Sequence, residues 1–272
     1  MTGFPRLIAT DLDGTVVRED GTVSARVVAA FAAAERLGAR VVFVTGRPPR
    51  LIHEIAPAFG HLGVAICSNG ALVYDLGGRR VVEENAIPAE VLAEAAARLR
   101  AAVPGIGIAV EYAGTLAADD LYEPWDWDRG ITLQRMADHE LFAKPGPKLL
   151  GRHPTLSADE LLALAAPELS SLVTVYHSNG SRLVEAIATG VSKASALMSY
   201  AAGLGIGAEE VIAFGDMPND LPMLAWAGTS YGMANGHADV LAAVDHVIGS
   251  IDEDGVALEL ERLALRAGGA VA

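Results

Sequence analysis

An alternation of short apolar runs and helix-like segments constrains the fold more than any other feature of the chain. The segment 39–45, ARVVFVT, contains a continuous apolar run, which is typical of a parallel strand covered on both faces. The segment before it predicts a helix, with Ser24 as its N-cap and Gly38 at its C-terminal end. Repeated strand–helix pairs of this kind predict an α/β fold built on a doubly wound parallel sheet.

The middle of the chain breaks this alternation. Asn-Gly and Gly-Gly pairs between positions 69 and 78 predict antiparallel hairpins, and the pattern from 105 to 178 is irregular. Alternation resumes after Arg182. We therefore expect a core domain formed by residues 1–85 and 182–272, with an inserted α+β domain over 86–181.

Composition argues against several classes of partner. The chain is 51% hydrophobic, which supports a full core, and it carries a net charge of −14. Such an acidic protein lacks the basic face that binds nucleic acid or an anionic membrane, so we expect neither partner. The single cysteine, Cys67, permits no internal disulfide, and neither a leader peptide nor a membrane-length apolar run is visible. We expect a cytoplasmic protein, and composition does not indicate its oligomeric state.

Acidic residues follow two of the predicted strands. Asp11 and Asp13 come directly after the first strand, and Asp216 and Asp220 follow a strand near the C-terminus. In a sheet of this type the ligand lies beyond the carboxyl ends of the strands. Two like charges at one strand end repel each other unless a cation lies with them. Carboxylates without a His/Cys cluster suit Mg²⁺ rather than zinc, so we predict a magnesium site.

Other strand ends carry groups that suit a phosphate. Thr45 offers a hydroxyl, and Gly46 offers an open backbone N–H just before a predicted helix, whose N-terminus favours anions. Lys193 lies in the first turn of a predicted helix, where a positive charge opposes the helix dipole, so a functional reason is expected. Asn219 adds an amide close to the acidic residues.

A carboxylate can act as a nucleophile because it is already ionised at neutral pH. One assignment makes Asp11 the nucleophile that attacks phosphorus and Asp13 the acid that protonates the leaving oxygen. Asp13 then takes a proton from the hydrolytic water. The alternative is an ordinary capped turn, since Asp and Gly are common turn residues.

Four segments, in order, resemble the motifs of the haloacid dehalogenase (HAD) superfamily: DLDGT, TGR, GVSKASAL and GDMPNDLPML. Their order and spacing are similar to those of its Cof-type phosphatases with a type IIB (C2B) cap, and the resemblance covers the whole chain. It implies a HAD-like, Rossmannoid core with the insert as its cap. It also implies a Mg²⁺-dependent hydrolase that removes phosphate from a small metabolite, a sugar phosphate or phosphorylated cofactor, through an aspartyl phosphate.

The resemblance also implies a role for each residue of these motifs. The catalytic residues are Asp11 and Asp13. The residues implied to bind phosphate are Thr45, Gly46, Lys193 and Asn219, and those implied to hold or support the metal are Asp11, Asp13, Asp216 and Asp220.

Further residues are possible substrate contacts, each with a structural alternative. Asn69 lies in an Asn-Gly pair, which also suits a hairpin turn, and Arg47 follows Gly46 in a strand-to-helix turn. Trp125 and Trp127 of the insert are candidates for stacking, although buried tryptophans are more often core residues. Arg152 is a candidate for an anionic group, with a solvated loop as the alternative.

Two other functions fit the same residues. A phosphosugar mutase would return the phosphoryl group to a second hydroxyl of the sugar instead of to water. A non-catalytic phospholigand-binding protein needs no nucleophile, so the presence of Asp11, Asp13 and Lys193 argues against it.

Overall fold

The computed structural model describes residues 3–60, 63–125, 128, 131–177 and 182–268. Two compact units make up the chain. One is Met1–Val82 together with Ser192–Ala272, and the other is Glu83–Val191. We call them the core unit and the inserted unit.

The elements of both units are numbered in chain order along the described residues. The strands are β1 (Leu7–Thr10), β2 (Arg40–Val44), β3 (Val64–Cys67), β4 (Leu72–Asp75), β5 (Arg80–Glu84), β6 (Gly107–Glu111), β7 (Leu116–Ala118), β8 (Leu133–Arg135), β9 (Lys148–Arg152), β10 (Val173–Tyr176), β11 (Leu183–Ala188), β12 (Val211–Gly215), β13 (Thr229–Met233) and β14 (His246–Ile248). The α-helices are α1 (Ala25–Arg36), α2 (Pro49–Ile52), α3 (Ala89–Ala102), α4 (Asp138–Leu141), α5 (Ala158–Leu169), α6 (Lys193–Gly203), α7 (Leu221–Trp226), α8 (Ala238–Ala243) and α9 (Gly255–Arg266). Shorter 3-10 turns cover Ala56–Phe59, Ser68–Gly70, Ala208–Glu210, Pro218–Asp220 and Ile251–Glu253.

The core unit is built on a sheet with the strand order β14-β13-β12-β1-β2-β3-β4-β5. The strands from β14 to β3 run parallel, and β4 runs antiparallel to β3. Apolar side chains of β1 and β2 pack with α6 and α7 on one face, and Phe43 of β2 packs edge-on against Phe31 of α1 on the other. Helices on both faces confirm the predicted doubly wound α/β fold and explain why these strands are apolar throughout.

Helix ends in the core unit follow from local capping. Ser24 caps α1 as predicted, with its hydroxyl oxygen accepting a hydrogen bond from the Val27 N–H at 3.1 Å. Ser192 caps α6 in the same way, and Ser195 completes a capping box by accepting from the Ser192 N–H at 2.9 Å. The capping box fixes where α6 begins, and it therefore places Lys193 at the first residue of this helix.

The inserted unit is built on a second sheet with the strand order β10-β11-β9-β6-β7-β8. Neighbouring strands in this sheet are antiparallel, except that β7 and β8 are parallel. Helices α3 and α5 pack on one face through an apolar cluster that includes Leu92, Leu149 and Leu161. Residues 182–191, which the sequence analysis places in the core, lie in this unit because β11 pairs with β9 and β10. Among the described residues, no helix is long and apolar enough to cross a bilayer.

A charged cluster is buried in the inserted unit. Lys148 of β9 is 2% exposed, and its Nζ lies 2.7 Å from Glu185 Oε2 and 3.6 Å from Glu111 Oε2. Burial opposes the charge of the ammonium, but Glu185 and its other acidic neighbours outweigh this effect and raise the pKa of Lys148. One buried lysine therefore lies close to two buried glutamates.

Removing that lysine alone tests its structural role. We predict that Lys148→Met lowers the free energy of unfolding by about 3 to 5 kcal/mol, because it removes the ammonium that pairs with two buried carboxylates. The triple variant Lys148→Met/Glu111→Gln/Glu185→Gln should recover at least half of this loss. Urea denaturation of the three proteins measures both changes, and a loss below ~1 kcal/mol for Lys148→Met contradicts the account.

Candidate active site

The parallel strands of the core unit bring the acidic residues and Thr45 to one edge of the sheet. In the sheet register, Thr10 at the end of β1 is aligned with Phe43 of β2 and Phe214 of β12. Asp11 therefore emerges beside β12, and its N–H donates to the Phe214 carbonyl at 3.0 Å. Asp216 and Thr45 follow at the ends of β12 and β2. The carboxyl ends of neighbouring parallel strands thus form the site.

Lys193 holds two of the carboxylates. Its Nζ donates to Asp11 Oδ1 at 2.8 Å and to Asp220 Oδ1 at 2.6 Å, and all three side chains are buried. Burial lowers the pKa of Lys193, but the carboxylates of Asp11 and Asp220 outweigh it, so that the pKa is raised and the amine stays charged. The charge of Lys193 thus compensates two buried carboxylates, which gives a reason for a lysine at the start of this helix.

Asp220 shapes the loop that carries Asp216. One of its oxygens accepts from Lys193, and the other accepts from the N–H groups of Asp216 and Met217 at 3.1 and 3.0 Å. Thr15 in turn donates through its hydroxyl to Asp216 Oδ1 at 2.9 Å. Sequence reasoning missed Thr15, although it is the last residue of DLDGT and so stands within a recognised motif.

The carboxylate cluster has the composition of a site for a hard cation. Asp11, Asp216 and Asp220 each offer an oxygen within 4.8 Å of the others. Within the described part of the chain, Oδ2 of Asp11 and Oδ2 of Asp216 accept no hydrogen bond, whereas both oxygens of Asp220 are engaged. Oxygen donors of this kind fit Mg²⁺, with Asp11 and Asp216 as the residues best able to bind it.

Without a bound cation, two carboxylates of the cluster have raised pKa values. Burial, followed by the Asp220 carboxylate, raises the pKa of Asp216 to about 6. The same two causes raise the pKa of Asp11 well above its ordinary value, although Lys193 acts in the opposite direction. Three buried carboxylates with one lysine therefore carry more negative charge than the site supports by itself.

Gly14 permits the close approach of the two acidic loops. Its φ is +77°, and a Cβ atom at this position would lie 2.2 Å from Asp216 Oδ2. Glycine is therefore the residue that both the backbone conformation and the available space require.

Asp13 differs from the other acidic residues because its side chain is 44% exposed. Arg47 binds it with two nitrogens: Nε lies 2.8 Å from Asp13 Oδ2, and Nη2 contacts Oδ1. This bidentate ion pair orients the Asp13 carboxylate, and the guanidinium adds positive charge beside the buried carboxylates. Arg47 is thus placed at the site, on the side of Asp13.

The helix predicted just after Gly46 is present, but it is short and begins with prolines. Thr45 is fully buried, and its Oγ1 accepts from the Arg47 N–H at 3.1 Å. Helix α2 begins only at Pro49 and is four residues long. Pro48 and Pro49 have no N–H to offer to an anion, so a helix dipole is not a reason for phosphate to bind here.

The remaining candidate substrate contacts are divided between the core unit and the inserted unit. Asn69 lies in the core unit, where its Oδ1 accepts from Asn219 Nδ2 at 3.3 Å. In the inserted unit, the guanidinium carbon of Arg152 lies 5.4 Å from the centroid of the Trp125 ring. The predicted contact Trp127 lies outside the described residues.

Comparison with known protein families shows which family the chain belongs to. The model of the haloacid dehalogenase-like hydrolases matches residues 8–260. The chain belongs to this family. Membership confirms the resemblance that the four motifs indicate, and with it the prediction of a phosphatase, since curated phosphatases align with nearly the whole chain.

Two of these relatives and one solved structure show the extent of the similarity. The chain is 29% identical to a phosphoglycolate phosphatase from Halorubrum lacusprofundi, covering 95% of this chain and 97% of the relative. It is 26% identical to the pyridoxal phosphate phosphatase YbhA of Escherichia coli, covering 93% and 96%. A solved HAD subclass IIB sugar phosphatase superposes with a TM-score of 0.79 at 22% identity, covering 96% and 99%, and so shares the fold.

The raised pKa of Asp216 leads to a prediction about stability. A carboxyl whose pKa is higher in the folded than in the unfolded state costs stability when it is ionised. This cost decreases as the pH falls below the folded-state pKa, and it is gone below the unfolded-state pKa. In EDTA at pH 7.5, we predict that Asp216→Asn melts of the order of 5 °C above the wild type. At pH 5 the difference should shrink, because Asp216 takes up a proton in the folded wild type.

Thermal melts of both proteins at the two pH values measure this difference. Asn keeps an oxygen that accepts from Thr15, so the loop contact survives the substitution. A difference in melting temperature that does not change with pH contradicts the account.

Proposed function

We propose that this phosphatase removes the phosphoryl group from a small phosphorylated metabolite, with Asp11 as the nucleophile and Mg²⁺ as the cofactor. The observation that supports it best is the position of Asp11: buried, fixed through Oδ1 by Lys193, and beside Asp216. A structural ion pair alone does not require two further buried carboxylates at the same point.

Asp11 is the candidate nucleophile because one of its oxygens is held and the other accepts no hydrogen bond from the described residues. One carboxylate oxygen of Asp11 would attack phosphorus, forming an oxygen–phosphorus bond as the bond from phosphorus to the ester oxygen breaks. The product on the enzyme would be an aspartyl phosphate. Water would then attack this phosphorus and release inorganic phosphate, restoring the carboxylate.

Asp13 is the candidate acid and base. It stands two residues after Asp11, on the same strand end, and Arg47 orients it through two nitrogens. Its greater exposure suits a group that exchanges protons with substrate and water. Asp13 would protonate the departing ester oxygen and then accept a proton from the attacking water.

The residues that would hold Mg²⁺ are Asp11, Asp216 and the backbone carbonyl of Asp13, with Asp220 as a support for the loop. When bound, the cation supplies positive charge that compensates the carboxylates and stabilises the transferring phosphoryl oxygens. Lys193, Thr45, Gly46 and Asn219 are the chain's proposed donors to the phosphoryl group.

The leaving group is proposed only as a class. The two relatives are named for different esters, phosphoglycolate and pyridoxal phosphate, so similarity favours no single substrate. A sugar phosphate or a phosphorylated cofactor fits the proposal. Trp125, Trp127 and Arg152 of the inserted domain stay candidate contacts, and the cytoplasmic location and the absence of nucleic-acid or membrane partners stay predictions from the sequence.

A release assay over a panel of phosphate esters tests the proposed function. We predict that the wild type with Mg²⁺ releases inorganic phosphate from at least one ester, and that EDTA suppresses the release. Asp11→Asn should reduce turnover by at least about 10³-fold, since it removes the nucleophile while keeping the shape of the side chain. An isomeric phosphate ester as the product would favour the mutase instead.

The control for this experiment is the fold of the variant. Asp11→Asn should melt no lower than the wild type in EDTA, because it removes a buried charge. Near-normal turnover in a folded Asp11→Asn protein would exclude the nucleophile assignment. Binding of a phosphorylated ligand without any turnover by the wild type would favour the non-catalytic alternative.

A further inference from the structure

The turn after β3 is held in an unusual backbone conformation. Ser68, Asn69 and Gly70 have φ angles of +51°, +54° and +105°, so three consecutive residues lie in the left-handed region. Glycine adopts this region freely and asparagine tolerates it, but serine rarely does. Backbone strain of this kind persists only where surrounding contacts enforce it, and it is a reason to look for a function.

Contacts with two other motif segments enforce the conformation. The N–H of Ser68 donates to the Arg47 carbonyl at 2.9 Å, and the N–H of Asn69 donates to the Thr45 carbonyl at 3.0 Å. On the other side, a Cβ atom at Gly70 would lie 2.3 Å from the Ser192 carbonyl oxygen. The turn is therefore fixed between the loop after β2 and the residue that precedes Lys193.

The Asn69 side chain is buried and only partly satisfied. It is 5% exposed, and its Oδ1 accepts from Asn219 Nδ2 at 3.3 Å. Its Nδ2 has no hydrogen-bond partner among the described residues, and neither has the Ser68 hydroxyl beside it. An amide N–H group that is buried without an acceptor costs stability.

The segment does connect the antiparallel strands β3 and β4, as the hairpin alternative predicts, but a hairpin turn alone does not explain the buried amide. An Asn-Gly turn depends on the backbone tolerance of asparagine and does not require that its side chain be buried. Here the amide is buried and oriented by a second amide. Its backbone is bonded to Thr45, and the next residue abuts the segment of Lys193. Asn69 therefore lies in a turn that contacts the proposed phosphate-binding segments through its backbone and Asn219 through its side chain.

We infer that Asn69 binds the phosphoryl group of the substrate, donating through Nδ2 to one of its oxygens, while Asn219 orients the amide. The inference rests on the proposed function and extends its binding site by one residue. A phosphoryl group presents several oxygen acceptors and no obligatory donor, which matches an amide whose oxygen is already occupied. As a neutral donor, Asn69 adds a contact without adding charge beside Lys193.

Binding of inorganic phosphate tests this inference without requiring turnover. Two variants separate the amide from the turn. Asn69→Gly tolerates the left-handed backbone and removes the amide. Asn69→Asp keeps the shape and an oxygen for Asn219, but removes the donor. We expect both variants to bind inorganic phosphate about 10- to 100-fold more weakly than the wild type with Mg²⁺ present.

Thermal shifts over a phosphate titration give the affinities, and urea midpoints show whether each variant is folded. Equal phosphate affinity of the wild type and either folded variant overturns the inference. A loss of ester kcat/KM without a loss of phosphate affinity also overturns it, because the contact would then be with the leaving group. If the wild type itself binds no phosphate, this inference fails, whereas the proposed function is judged separately by the release of phosphate from esters.

Discussion

The site depends on one ammonium group placed among buried carboxylates. Lys193 reaches Asp11 and Asp220 from the start of α6, and Asp216 lies within the same cluster. One positive charge does not balance three acidic groups, and the raised pKa values of Asp11 and Asp216 are the result. The protein tolerates this imbalance at a point where a divalent cation would compensate the excess negative charge.

The surrounding fold serves to hold these groups at short distance. Parallel pairing of β1 with β12 and β2 brings their ends to one edge, and the capping box of α6 fixes the first residue of that helix. Gly14 admits the Asp216 carboxylate, and Gly70 admits the backbone of Ser192. Asp220 uses both oxygens inside the protein, so it acts as the link between the loop of Asp216 and Lys193.

Sequence reasoning predicted the features that depend on local pattern. Apolar runs that end in Asp11 or Asp216 identify strands and their ends, and the parallel arrangement then brings those ends together without further information. It could not predict contacts that depend on long-range pairing. The burial of Lys148 between two glutamates, the membership of β11 in the inserted unit, and the bond between Asn69 and Asn219 all join residues far apart in the chain. The helix predicted after Gly46 is present, but it is only four residues long, and Pro48 and Pro49 at its start have no N–H to offer to an anion.

The account's central claim is that Asp11 carries the phosphoryl group while a cation lies among the acidic residues. A crystal structure of the protein grown with Mg²⁺ and beryllofluoride tests this claim most directly, because beryllofluoride forms a stable mimic of an acyl phosphate. The account predicts beryllium bonded to a carboxylate oxygen of Asp11, with the cation bound by Asp11 and Asp216. An adduct on Asp13 or elsewhere, or a bound mimic with no cation at these carboxylates, would contradict it.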